Sequence, residues 1–195
     1  MARIATTTLR SGGRGSAHVE WAASDKFFAA FAAVTVLCWP AHSAESPTAN
    51  ICSDPAHHQL DFWVGRWDVV EHDHPDRVVA HAVVERILDG CVLHEIYAAT
   101  DGHKGESFTI YDSSRHTWHQ TWVTDHGQLL MIEGGLQDSD MVLEGTDRAP
   151  DGKQRRVRGT WRPVKDGVRE IAIRSTDGGM TWTPWFDLQF RVHQP

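Results

Sequence analysis

Residues 78–102 read VVAHAVVERILDGCVLHEIYAATDG. Val78–Leu88 and Cys91–Thr100 are two runs of about ten residues, rich in Val, Ile and other strand formers. Neither keeps a helical period. Asp89-Gly90 separates them, and Asp101-Gly102 ends the second. An Asp-Gly step supplies the positive φ that a tight hairpin needs, so the stretch reads strand, turn, strand, turn.

The same pattern continues on both sides. Upstream, Phe62–His72 (FWVGRWDVVEH) is followed by a turn at Pro75-Asp76. Downstream come Ser107–Asp112, Thr117–Thr124, Gln128–Leu136, Met141–Thr146, Gln154–Val164, Val168–Thr176 and Met180–Val192, parted by Ser-Ser, His-Gly, Asp-Ser and Asp-Gly steps. About ten strands joined by short turns predict an all-β fold, an up-and-down antiparallel β-barrel. The missing crossover helices exclude a parallel α/β sheet. A two-sheet sandwich is the alternative, and the absence of long Greek-key connections favours closure. Ser53–Leu60 reads as a short N-terminal helical segment, capped by Ser53 or Asp54 with Pro55 in the first turn, able to plug one barrel end.

The chain of 195 residues is long enough for one domain with its own core. Phe27–Trp39 (FFAAFAAVTVLCW) is 13 residues with only Thr35 polar, too short to span a bilayer. Lys26 precedes it and Ala41-His42-Ser43-Ala44 follows, the layout of a secretory signal peptide over about residues 26–44, cleaved after Ser43 or Ala44. Residues 1–25 make a long leader, which a start codon set too far upstream would explain. The expected organisation is a leader at 1–44, an N-terminal segment at 45–60 and a barrel domain at 61–195, placed in the periplasm or secreted.

Loss of the leader would move the net charge from −7 to about −9, since it carries four basic and two acidic residues. An acidic balance argues against nucleic acid as a partner, because phosphate contacts need clustered Lys and Arg. Cys38 leaves with the leader. Cys52 and Cys91 remain, an even pair that an oxidising compartment would join as a disulfide, the alternative being two free buried thiols.

Certain motifs carry more specific information. Gly65-Arg66-Trp67 on the first strand is a Gly-x-Trp, in which Gly permits close approach and Trp closes a barrel floor. Phe62–Val69 (FWVGRWDV), Glu85–Cys91 (ERILDGC), Tyr111-Asp112 and Trp118–Val123 (WHQTWV) together resemble a bacterial family of exported proteins of unknown function with a calycin, or lipocalin-like, barrel. The likeness covers roughly Cys52 to Arg191. It implies a barrel with a cavity and brings no established chemistry. In lipocalins an Arg from a late strand packs on the Gly-x-Trp indole, a role the resemblance offers to Arg191 or Arg174. Separately, Ser175–Trp182 (STDGGMTW) matches the Asp-box of sialidases. A single copy makes it a hairpin staple, with Asp177 accepting backbone N–H groups and Trp182 packing over the turn.

The strand alternation also nominates a pocket. Trp118, Gln120 and Trp122 share one face, either lining a ligand site or filling the core. Leu93, Glu95 and Tyr97 share another, and an inward Glu95 would mark a pocket because an unpaired buried carboxylate is costly. Tyr111 is a further wall candidate. These residues suggest a barrel that binds a small apolar or aromatic molecule.

An enzyme using the same cavity for isomerisation, cyclisation or hydrolysis is a second reading, with Glu95, His94, Tyr111 and His119 as its acid or base. A filled structural barrel is a third. The 13 His match no metal motif. His72-Asp73-His74, His57-His58, His116 and His126 read as solvated loop residues, so no metal is expected and no cofactor. A haem held by His193 or His94, as in the nitrobindins that share this type of barrel, is the remaining option. Arg155-Arg156-Val157-Arg158 reads as a solvated strand face.

Overall fold

A computed structural model describes residues 51–149 and 151–194. The leader and its cleavage site lie outside the described residues. Ten strands follow one another: β1 (Gly65–Glu71), β2 (His74–Ile87), β3 (Val92–Ala99), β4 (Lys104–Asp112), β5 (Thr117–Thr124), β6 (Leu129–Gln137), β7 (Asp140–Arg148), β8 (Gln154–Val164), β9 (Gly167–Ser175) and β10 (Thr183–Val192). Each pairs antiparallel with its sequence neighbours, and β1 also pairs with β10, so the sheet closes into a barrel. The all-β up-and-down barrel is therefore the fold, and a sandwich is excluded.

Two boundaries differ from the sequence reading. Phe62 and Trp63 belong to a 3₁₀ turn, Asp61–Trp63, and β1 starts at Gly65. The turn expected at Pro75-Asp76 lies earlier, because β2 begins at His74. Pro75 is tolerated at that strand end, where a missing N–H is of little consequence. The register between β1 and β2 slips between Val69 and Glu71, which absorbs the extra length of β2.

The segment before β1 closes one end of the barrel. Pro55–His58 forms a 3₁₀ turn, and Asp54 caps it by accepting from the Ala56 and His57 backbone N–H groups. Leu60 and Trp63, each 1% exposed, then descend into the barrel. Trp63 meets Trp161 and Phe190 at ring distances of 5.8 and 6.2 Å, and the Trp67 indole N–H donates to the Trp63 carbonyl at 3.0 Å. The Trp118 indole N–H donates to Gln59 Oε1 at 2.9 Å.

Two ties hold this plug. Arg86 on β2 donates to the His57 carbonyl at 2.8 Å and also contacts Asp61. The Cys52–Cys91 disulfide joins the plug to the turn before β3, as the even cysteine pair suggested. No helix among the described residues is long and apolar enough to cross a membrane.

Outward residues pair across strands. Arg162 meets Asp140, Arg169 meets Asp187, and Arg156 and Arg158 share Glu144. Arg155 departs from the expected solvated face. It lies on the inward side with Val157 and grips Asp147 through Nε at 2.8 Å and Nη2 at 2.6 Å.

Candidate functional site

The barrel is filled at one end and hollow at the other. Trp63, Trp67, Trp118, Trp161 and Phe190 occupy the plugged half. The opposite half holds a cavity of about 410 Å³, within the usual size range of small-molecule sites. Its wall is apolar and aromatic: Tyr97 from β3, Trp122 from β5, Leu130 from β6, and Trp185, Phe186 and Leu188 from β10. Tyr97 and Trp122 meet edge to face at 5.9 Å, and Trp185 and Phe186 lie 4.9 Å apart.

The polar groups gather deeper and at the mouth. Glu95, Gln120 and Glu170 line the cavity from β3, β5 and β9, while Glu71 and Asp101 stand where β1 and β3 end. Glu95 is 5% exposed. It sits directly across from Ser107, whose hydroxyl donates to Glu95 Oε2 at 3.0 Å. Burial pushes the Glu95 carboxyl up to about 7 against the opposing pull of that hydrogen bond. Burial also pushes Glu170 well above the carboxylate range, and the Glu95 charge adds to it. Burial raises the Tyr97 phenol as well, with Glu170, Glu95 and Asp101 contributing. Gln120 is held by its amide N–H donating to Thr109 Oγ1 at 3.0 Å, one register position across the β4–β5 ladder.

At the rim, Arg174 lies 3.1 Å above the Trp185 ring and donates to Asp147 Oδ2 at 2.8 Å. Asp147 thus holds two guanidiniums, from Arg155 and Arg174. Burial pulls Arg174 down to about 10, with Asp147 opposing.

The sequence-nominated residues divide accordingly. Glu95, Tyr97, Gln120 and Trp122 line the cavity. Trp118 does not join them: it shares the inward face of β5 but lies at the plugged end, 2% exposed. Tyr111 is also displaced to that end, between the His57 and Trp118 rings at 5.1 and 5.7 Å.

Gly65 abuts the Trp67 ring, leaving 2.9 Å between Trp67 Cζ2 and the place of a Cβ. The expected Arg–Trp67 stacking is absent among the described residues. Arg191 donates to the Pro75 carbonyl, and Arg174 stacks on Trp185 instead. The Asp-box does staple its hairpin. Asp177 accepts from the Thr181 N–H and hydroxyl at 2.9 and 2.6 Å and from the Ser175 hydroxyl at 2.7 Å. Arg158 covers the Trp182 ring at 4.5 Å.

No histidine among the described residues lines the cavity, and His57, expected to be solvated, is instead 2% exposed in the plug, where its ring meets Asp54 and Ser113. His94 stacks on Phe108 at 4.8 Å and bonds Glu106, and His119 bonds Glu133 and Thr121. His193 and His81 both bond Asp68 Oδ1 at 2.8 Å. Neither His94 nor His193 lines the cavity. Asp68 with His81 and His193, and Asp125 with His103 and His126, are close enough in space to hold a metal ion, groupings drawn from separate strands and turns. Sequence spacing could not bring them together.

Comparison with protein-family models finds no match for the chain, and comparison with curated proteins finds no significant relative.

Proposed function

We propose that this barrel binds a small aromatic or apolar molecule in the open half of its interior. The observation that carries the reading is the cavity of about 410 Å³ walled by Tyr97, Trp122, Trp185 and Phe186. Burial of apolar ligand surface supplies roughly 25 cal/mol per Å² before ordering costs, and the few polar groups set orientation. The Cys52–Cys91 bridge supports export to an oxidising compartment. The FWVGRWDV pattern, Phe62–Val69, that leads into β1 supports placing the chain among exported calycin-like barrels.

Trp122 and Trp185 report occupancy directly. Titration with neutral and charged aromatic compounds and terpenoids is expected to shift Trp emission saturably for at least one class. Unchanged emission across the panel would overturn the reading.

A second reading rests on Glu95 with Ser107 at its carboxyl. A buried carboxyl titrating near neutrality suits general acid–base work on a bound substrate, since a catalytic group is most effective near the ambient pH. Under it, Glu95→Gln removes turnover of a substrate that still binds.

A further inference from the structure

The cavity is one-signed. Glu71, Glu95, Asp101 and Glu170 line it, and no Lys, Arg or His does among the described residues. At the mouth Arg77 pairs with Glu71 at 2.7 Å, and at the rim Arg174 and Arg155 are turned to Asp147. Elsewhere in this protein acidic side chains on the barrel wall are matched: Asp140, Glu144, Asp147 and Asp187 each hold an Arg. Glu95 and Glu170 are not matched. Glu95 is more than nine-tenths buried and lines the cavity, and its sole hydrogen bond among the described residues is accepted by Oε2 from Ser107. Glu170 makes none among the described residues and lines the same space. Holding a buried and a half-buried carboxyl in one cavity without a counter-charge is unfavourable unless something supplies that charge or a proton.

We propose, resting on the binding reading above, that the ligand is a monocationic amine with an aromatic or apolar body, its ammonium seated between Glu95 and Glu170. The walls fit the same class. Tyr97 and Trp122 line the same cavity, and aromatic faces attract cations by their quadrupole, most strongly where water is excluded. A carboxylate ligand, such as a fatty acid, finds no Lys, Arg or His among the described residues that line the cavity.

The titratable groups lining the cavity with Glu95 and Glu170 are Tyr97, Asp101 and Glu71, the last paired with Arg77. Tyr97 stays protonated at neutral pH, since its phenol is raised, and Gln120 is neutral. The acid pair therefore sets the pH response. Below about pH 7 Glu95 holds a proton. A bound ammonium favours its ionisation, so binding expels that proton and the affinity for the amine rises as pH rises towards 8.

Three isosteric probes test this by calorimetry on the wild-type protein: 2-(1-naphthyl)ethylamine, 2-(1-naphthyl)ethanol and 1-naphthylacetate. The amine is expected to bind about tenfold or more tightly than the alcohol at pH 8, and the acetate more weakly than either. At pH 6, titrations in buffers of different ionisation enthalpy are expected to show proton release with the amine and none with the alcohol. Glu170→Gln and Glu95→Gln are expected to narrow the amine–alcohol gap and leave alcohol binding in place. Equal affinity for amine and alcohol, or amine binding without proton release, overturns the amine assignment while the cavity reading stands. No binding of any probe overturns both.

Discussion

Trp122 lies directly over Gly105: its Cζ2 is 2.2 Å from where a Cβ on Gly105 would sit. The two strands carrying them, β4 and β5, are neighbours, and the absent side chain is what leaves room for the indole. Gly105→Ala is therefore expected to expel the ring. Overpacking of this kind costs about 1–3 kcal/mol. Urea unfolding would read that loss, and the altered Trp122 position would change ligand-induced emission. Unchanged stability together with unchanged emission would contradict the contact.

Glu95 gives the protein an inverted pH response. Its ordinary value is 4.5 and its folded value is about 7, so between those limits the folded state holds a proton that the unfolded chain has released. The contribution is fully present below pH 4.5 and is lost as pH rises through 7. At about 1.4 kcal/mol per unit, the loss in the absence of ligand is on the order of 3 kcal/mol. Glu95→Gln is expected to flatten this slope and to be the more stable form at pH 8. Parallel slopes in both proteins between pH 5 and 8 would contradict the assignment.

Cys52 and Cys91 are 39 residues apart, and their bridge fastens the plug to the barrel. On the chain-entropy view, opening a loop of that length costs about 4 kcal/mol. Denaturation of Cys52→Ala/Cys91→Ala should show a loss of that order. A change under about 1 kcal/mol would mean that Arg86 and the buried Leu60 and Trp63 secure the plug unaided.

Asp177 organises the β9–β10 hairpin through Thr181 and Ser175. Those hydrogen bonds, from the Thr181 hydroxyl first, hold its carboxyl well below the ordinary range. The stabilisation is present above its ordinary value of 3.8 and is lost as pH falls through the lowered folded value. Asp177→Asn is expected to lower the melting temperature at pH 7 and to bring the two proteins together in strong acid. Equal melting temperatures at pH 7 would contradict this role.

The alternation that identified the strands also identified half of the cavity. Trp118, Gln120 and Trp122 do share an inward face, but period two says nothing about depth. Which end is hollow depends on where Leu60 and Trp63 insert, and that is a tertiary fact. Glu170 was hidden for a different reason. It shares a face with Val168 and Ala172, while Ile171 and Ile173 make the other face equally apolar, so alternation does not choose between them. Trp185 and Phe186 both line the cavity although adjacent, because the β9–β10 register slips between Pro184 and Phe186 and breaks the alternation there. The pairing of Asp147 with Arg155 and Arg174 spans three strands and needs the register to be seen.

The β1–β10 pairing uses the last backbone edge of the sheet. Every described strand has a neighbour on both sides, so no row of free N–H and C=O groups is offered to another chain. Strand addition, the common route by which β proteins recruit peptides or polymerise, is closed to this barrel. Whatever recognises its outer wall must do so through side chains, and many of those are already engaged in Arg–carboxylate and His–carboxylate pairs.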